Sequence, residues 1–296
     1  MTNSWVTGDH FGRSIPADPD ALRAGGPGFL TEAFRAWGAM SDGNAVTRIT
    51  GDQEIPEGST GRKLLLEVEY ENPEPSLTTE LFVEFFRDAA NPIRDRGKTQ
   101  MEPEVRFAVL SRSPEFPIAV PRPQFADYHG DSGTGLLITE RITFGANGIE
   151  RQYHKCLDYE MPEPYEHYRA LLAAIARLAG THRSGRLPAD LIGQFPIDLQ
   201  AATVGKPPPF NADKLRRRLA QLAEFAQAHP ALLPDSVRAP EFLARLQSDV
   251  PRFAHRESAV WQYLAHDRIT LRCATGTPTS TTRGSGVTRT TCCSAG

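Results

Sequence analysis

Thiols are the most reactive side chains available to this chain, and it holds four cysteines in 296 residues. A thiolate can serve as nucleophile, disulfide partner or zinc ligand. Three of the four, Cys273, Cys292 and Cys293, crowd the last stretch of the sequence. That leaves Cys156 as the one thiol of the main body, which speaks against a disulfide framework or a cysteine-based zinc site. Cys156 reads as a bystander, because a catalytic thiol needs an activating partner that the sequence does not place beside it. The run Arg216-Arg217-Arg218 has two readings, the wet face of a helix or a basic binding patch, and the first is the simpler. A formal net charge of -3 argues against a nucleic-acid partner.

The elements that would hold these residues follow from periodicity. Leu30, Phe34 and Trp37 predict a helix over Phe29 to Met40. Strands are expected at Ala45–Thr50, at Arg62–Tyr70 (Leu64, Leu66, Val68 and Tyr70 alternate) and at Leu81–Phe86. Gly58-Ser59-Thr60-Gly61 is a two-glycine turn between the first two, and the three strands read as an antiparallel sheet. A helix over Met101–Arg112 would face the sheet through Met101, Val105 and Ala108, with Glu104 at the flank. Two more strands are expected, Pro121–Asp127 and Gly135–Arg141.

From Glu163 the pattern turns helical. Tyr168, Leu171, Leu172, Ile175, Leu178 and Ala179 fall on one face, and His182 rides on the same stripe, which gives it a structural reading. Asn211 caps a helix carrying Leu215, Leu219, Leu222 and Ala226; another opens at Pro240 with Phe242, Leu246, Val250 and Phe253. Strands first and helices after predict an α+β, two-lobed arrangement. Its parts would be an N-terminal helical extension (1–44), a sheet lobe (45–143), a partial helical lobe (144–267) and a disordered tail (268–296). The amino terminus has no apolar core of signal-peptide length, and Leu171 to Ala179 is too short to span a bilayer, so no membrane and a cytoplasmic location are expected.

LFVEFF (Leu81–Phe86), EVRFAVLSR (Glu104–Arg112), LLITERI (Leu136–Ile142) and IARLAGTHR (Ile175–Arg183) resemble, in order and spacing, the aminoglycoside-phosphotransferase-like branch of the protein-kinase-like fold. That branch includes choline-kinase-like and ecdysteroid-kinase-like proteins, and the resemblance covers roughly Ala45 to Leu264. It implies a two-lobed fold, with an antiparallel sheet lobe and an incomplete helical lobe. It implies transfer of the ATP γ-phosphoryl group to a hydroxyl of a small molecule, with ATP and Mg2+ as cofactors. Gly58, Ser59, Thr60 and Gly61, an ordinary hairpin turn on residue types alone, would be the lid over the phosphates. Glu104, otherwise a solvated helix residue, would steady a phosphate-binding strand lysine. Glu140 to Ile142, otherwise a strand end, would be the hinge meeting adenine. The lysine is expected within LFVEFF, where Glu84 stands; Lys63 on the preceding strand is the candidate substitute.

After Leu271 the pattern of a fold stops. Arg272 to Gly296 contains no Leu, Ile, Phe or acidic residue and is rich in Thr, Gly, Ser and Arg. The resemblance implies a catalytic loop and a metal-binding aspartate after the helices. Reading the last base of each codon with the first two of the next, from Ala274 to Thr288, permits His-Trp-Asn-Ala-Asn-Val-Asp-Asn-Ala-Trp-Phe-Trp-Arg-Asp. This string resembles that loop, with Asn in place of the catalytic Asp, and points to a shifted frame. The polypeptide as written is therefore expected to lack kinase turnover, with a pseudokinase-like binding module as the alternative.

Overall fold

The computed structural model describes residues 4–56, 60–95, 102–153, 157–195 and 211–266. They fall into two compact units, 4–195 and 211–266. The expectations for Cys156, Met101, Gly58, Ser59 and the tail lie outside the described residues.

The first unit is built on a five-stranded antiparallel sheet, β3 (Val46–Ile55), β4 (Arg62–Tyr70), β5 (Glu80–Phe85), β6 (Pro123–His129) and β7 (Thr134–Glu140), in the order β3-β4-β5-β7-β6. Helix α1 (Pro19–Trp37) packs on one face and α2 (Glu102–Leu110), inserted between β5 and β6, on β6 and β7. Register makes the two faces explicit. Leu64, Val83, Ile138 and Phe125 form one row across β4, β5, β7 and β6, and all are fully buried in the core that also takes Leu22, Leu30, Phe34 and Trp37 of α1. One residue along each strand, Lys63, Glu84, Leu137 and Ala126 form the next row, on the opposite face.

The sequence pattern misses the start of this unit. A small antiparallel pair, β1 (Trp5–Thr7) with β2 (Ser14–Pro16), precedes α1. Buried Asp127 of β6 ties it down: its carboxylate accepts from the backbone N–H groups of His10, at 3.0 Å, and Phe11, at 3.2 Å. Helix α1 begins ten residues earlier than expected, with Asp18 accepting from the Ala21 N–H as its cap and Pro19 in the first turn. Gly26, at φ 55°, kinks the helix there and does not end it. Residues 4–44, expected as a separate helical extension, therefore contribute to the sheet unit's core, and the unit continues past 143 through α3 (Pro164–Arg183) and α4 (Ala189–Ile192).

Helix α3 also departs from expectation. Leu178 and Thr181 are buried, and Leu178 packs with Leu110 and Leu187. Tyr168, Leu172 and Ile175, expected on the covered face, are exposed. The second unit contains α5 (Ala212–Ala228), capped by the Asn211 side chain accepting from the Lys214 N–H, then α6 (Asp235–Arg238) and α7 (Pro240–His266). Leu219, Ala226 and Leu243 are buried between packed helices, and Arg216, Arg217 and Arg218 are exposed. Among the described residues no helix is long and apolar enough to cross a membrane.

Candidate functional site

The register that opposes Lys63 to Glu84 puts an ammonium and a carboxylate side by side on adjacent central strands. Their Nζ–Oε1 distance is 2.8 Å, and the two residues are only 2% and 3% exposed. The Lys63 ammonium also donates to the Thr60 carbonyl oxygen at 2.8 Å. A buried cation thus has a full counter-charge and a neutral acceptor, the condition under which a charge persists in a protein interior.

Glu104 adds a second carboxyl. It sits half-buried in the first turns of α2 while Val105 and Ala108 next to it are buried, as the helical spacing requires. Burial, and then the nearby Glu84 carboxylate, push its carboxyl well above the usual carboxylate range, against the opposing pull of Lys63. The state this favours is a neutral Glu104 beside a Lys63–Glu84 ion pair, a cluster with no net charge. One consequence is measurable. The folded chain holds the Glu104 proton to higher pH than the unfolded chain does, so this group lowers stability progressively as pH rises from the ordinary carboxylate range through the folded value. In acid, where both states are protonated, the effect vanishes. Glu104→Gln is therefore expected to match wild type in acid and to become increasingly more stable than wild type as pH rises, read as the urea midpoint across pH; a difference independent of pH would contradict this.

Of the residues singled out from sequence, Thr60 and Lys63 are in contact, Lys63 pairs with Glu84, and Glu104 lies near enough to feel the charges of both. Gly61 is buried against β5, where the space for a Cβ is filled by the Phe85 carbonyl oxygen. Glu140 lies elsewhere, at the end of β7, accepting from the Arg122 N–H at 2.9 Å and from its guanidinium at 3.4 Å. Ile142, just past that strand, is half-buried. The sequence pattern missed the role of Glu84: it marks the place of an expected lysine, yet here it is the partner of Lys63. Alternation puts Leu64, Leu66 and Val68 on the inward face and leaves Lys63 on the other, so only the register of the folded sheet reveals the pair.

This donor set does not fit a triphosphate. The Lys63 ammonium is already neutralised and enclosed, and a second carboxyl stands beside it. Among the described residues no group of three or more His, Cys, Asp or Glu side chains is placed to hold a metal ion. Comparison with family models, with curated proteins and with solved structures gives no match.

Proposed function

We propose that this chain is a catalytically silent protein of the kinase-like phosphotransferase class, whose active relatives pass the γ-phosphoryl group of ATP to a hydroxyl of a small molecule. The observation that carries this reading is a strand lysine, Lys63, held by a carboxylate at 2.8 Å, with Glu104 of the helix inserted between β5 and β6 near enough to feel both charges; in kinases of this class a helix glutamate steadies a phosphate-binding strand lysine, a place that Glu84 takes here. The five-stranded antiparallel sheet with that one inserted helix is consistent with a nucleotide-side lobe. Silence rests on the same geometry. Glu84 holds the lysine that would otherwise meet the phosphates, and its charge repels them.

A second reading is a pseudokinase-like module that binds a small molecule or a protein without chemistry. The burial of the Lys63–Glu84 pair favours it, because the site's charge is satisfied without nucleotide.

A thermal-shift screen on the full chain, paired with a phosphate-transfer assay, separates these. No transfer to any small hydroxyl compound is expected, and ATP with magnesium should raise the melting temperature little. In Glu84→Gln, with Lys63 released from its counter-charge, the nucleotide-induced rise should grow. ATP-dependent phosphorylation by wild type would overturn the silent assignment. Stabilisation only by an apolar metabolite, unchanged in Glu84→Gln, would favour the binding module.

A further inference from the structure

The connector that follows β7 folds back on itself. The Gly145 N–H donates to the Ile149 and Glu150 carbonyl oxygens, the Ala146 N–H to that of Thr143, and the Ile149 N–H to that of Ala146. A histidine ties this segment to α3. His167, in the first turns of the helix, sets Nε2 2.6 Å from the Glu150 carboxylate and Nδ1 3.2 Å from the Glu163 carbonyl oxygen. Both facing atoms are acceptors. A neutral imidazole donates from one nitrogen alone and would aim its other lone pair at an oxygen; the imidazolium donates from both. The same Glu150 carboxylate accepts from the Tyr153 hydroxyl at 3.0 Å, and the Tyr153 ring stands edge-on to the imidazole, 6.0 Å between centroids.

We infer that His167 is held as the imidazolium and that its proton clamps the connector, residues 143–153, onto α3, a contact that opens as pH rises through the histidine's titration. Among the described residues the charged groups around the ring come from both sides. The connector brings Glu150 and Arg151, whose guanidinium lies over the Tyr153 ring. Helix α3 brings Glu163 and Glu166, the latter held by Arg169 at 2.5 Å. The helix dipole opposes a cation in its first turns, so the charge on His167 depends on Glu150. The pair is only partly open to solvent, at 22% and 35% of the two side chains. The sign follows from the contacts. The folded chain keeps this proton to higher pH than the unfolded chain, so the clamp is present below about 6.5, the ordinary imidazole value, and is lost as pH rises through the folded value. In acid, below about 4, protonation of Glu150 removes the opposite charge.

Histidine-detected NMR of the full chain across pH, with the signal assigned from His167→Gln, tests this. The wild-type His167 midpoint should lie above about 6.5. Glu150→Gln keeps an acceptor but removes the charge, and should bring the midpoint to that value or below. Hydrogen–deuterium exchange, corrected for its intrinsic pH dependence, gives the conformational readout. Exchange over residues 143–153 should quicken several-fold in wild type as pH passes the His167 midpoint, and should be fast on both sides of it in either variant. A wild-type midpoint at or below about 6.5 overturns the inference, and that result needs no variant to fold. So does a midpoint that Glu150→Gln leaves unmoved, or connector exchange indifferent to the His167 proton.

Discussion

Glu84→Ala should destabilise the sheet unit by about 3–5 kcal/mol, the cost of leaving a buried ammonium without its counter-charge. The figure applies because Lys63 and Glu84 are both almost fully buried, so solvent screening does not reduce it. The Thr60 carbonyl still accepts from Lys63 in the variant, but a neutral acceptor does not replace a charge. Glu104 modulates the result. Burial is the larger cause that holds Glu104 protonated and it stays, but removing Glu84 takes away the second, and Lys63 then pulls Glu104 further toward its charged form. Glu84→Ala should therefore fall toward the lower end of the range, and Glu84→Ala with Glu104→Gln toward the upper end. That coupling between two positions is the signature of one shared cation. Replacing both partners with apolar residues, Lys63→Met with Glu84→Leu, should be neutral or stabilising by about 1–4 kcal/mol. Urea denaturation followed by tryptophan fluorescence, to which Trp5 and Trp37 of this unit contribute, measures all three variants. A loss below about 0.5 kcal/mol in Glu84→Ala, the size of an ordinary surface substitution, would mean that the pair is not buried in solution.

Alternation made β4 legible, and the other four strands of the sheet were legible as short β-type runs set between turns, with boundaries that moved by a few residues. It did not make the Lys63–Glu84 pair legible. Which residue of β4 faces which of β5 depends on the connection over residues 71–79, and no short turn type fixes a register across a loop of that length. Strands β1 and β2, three residues each, are too short to show a period. The first half of α1 was hidden by Gly25-Gly26-Pro27-Gly28, a run that reads as a break; Asp18 and Pro19 carried the opposite signal of a helix start. On α3 the apolar pattern was visible but its meaning was not. Periodicity says that a helix has an apolar side and leaves open whether the same chain covers it. Leu178 is covered, while Leu172 and Ile175 are open.

Gly61 separates a fold requirement from a ligand requirement, and Gly61→Ala should cost about 2–5 kcal/mol. Two terms add. The residue sits at φ 56°, where a Cβ is strained by about 1–2 kcal/mol. A Cβ built there would also lie 1.8 Å from the Phe85 carbonyl oxygen, a contact that cannot survive. That oxygen belongs to backbone, and Phe85 is held in register opposite Arg62, the residue after Gly61. Relief must therefore shift the β4–β5 ladder, at the roughly 1–3 kcal/mol typical of overpacking. Gly12 supplies the control. It has the same left-handed backbone, at φ 63°, but nothing within 4 Å of its would-be Cβ, so Gly12→Ala should lose only the first term. The difference between the two urea midpoints then reports the clash at β5 by itself. A glycine needed only so that a loop could approach a phosphate would behave differently. Its alanine variant would melt like Gly12→Ala and lose nucleotide-dependent stabilisation, while the Gly61 described here must give way before any ligand is added.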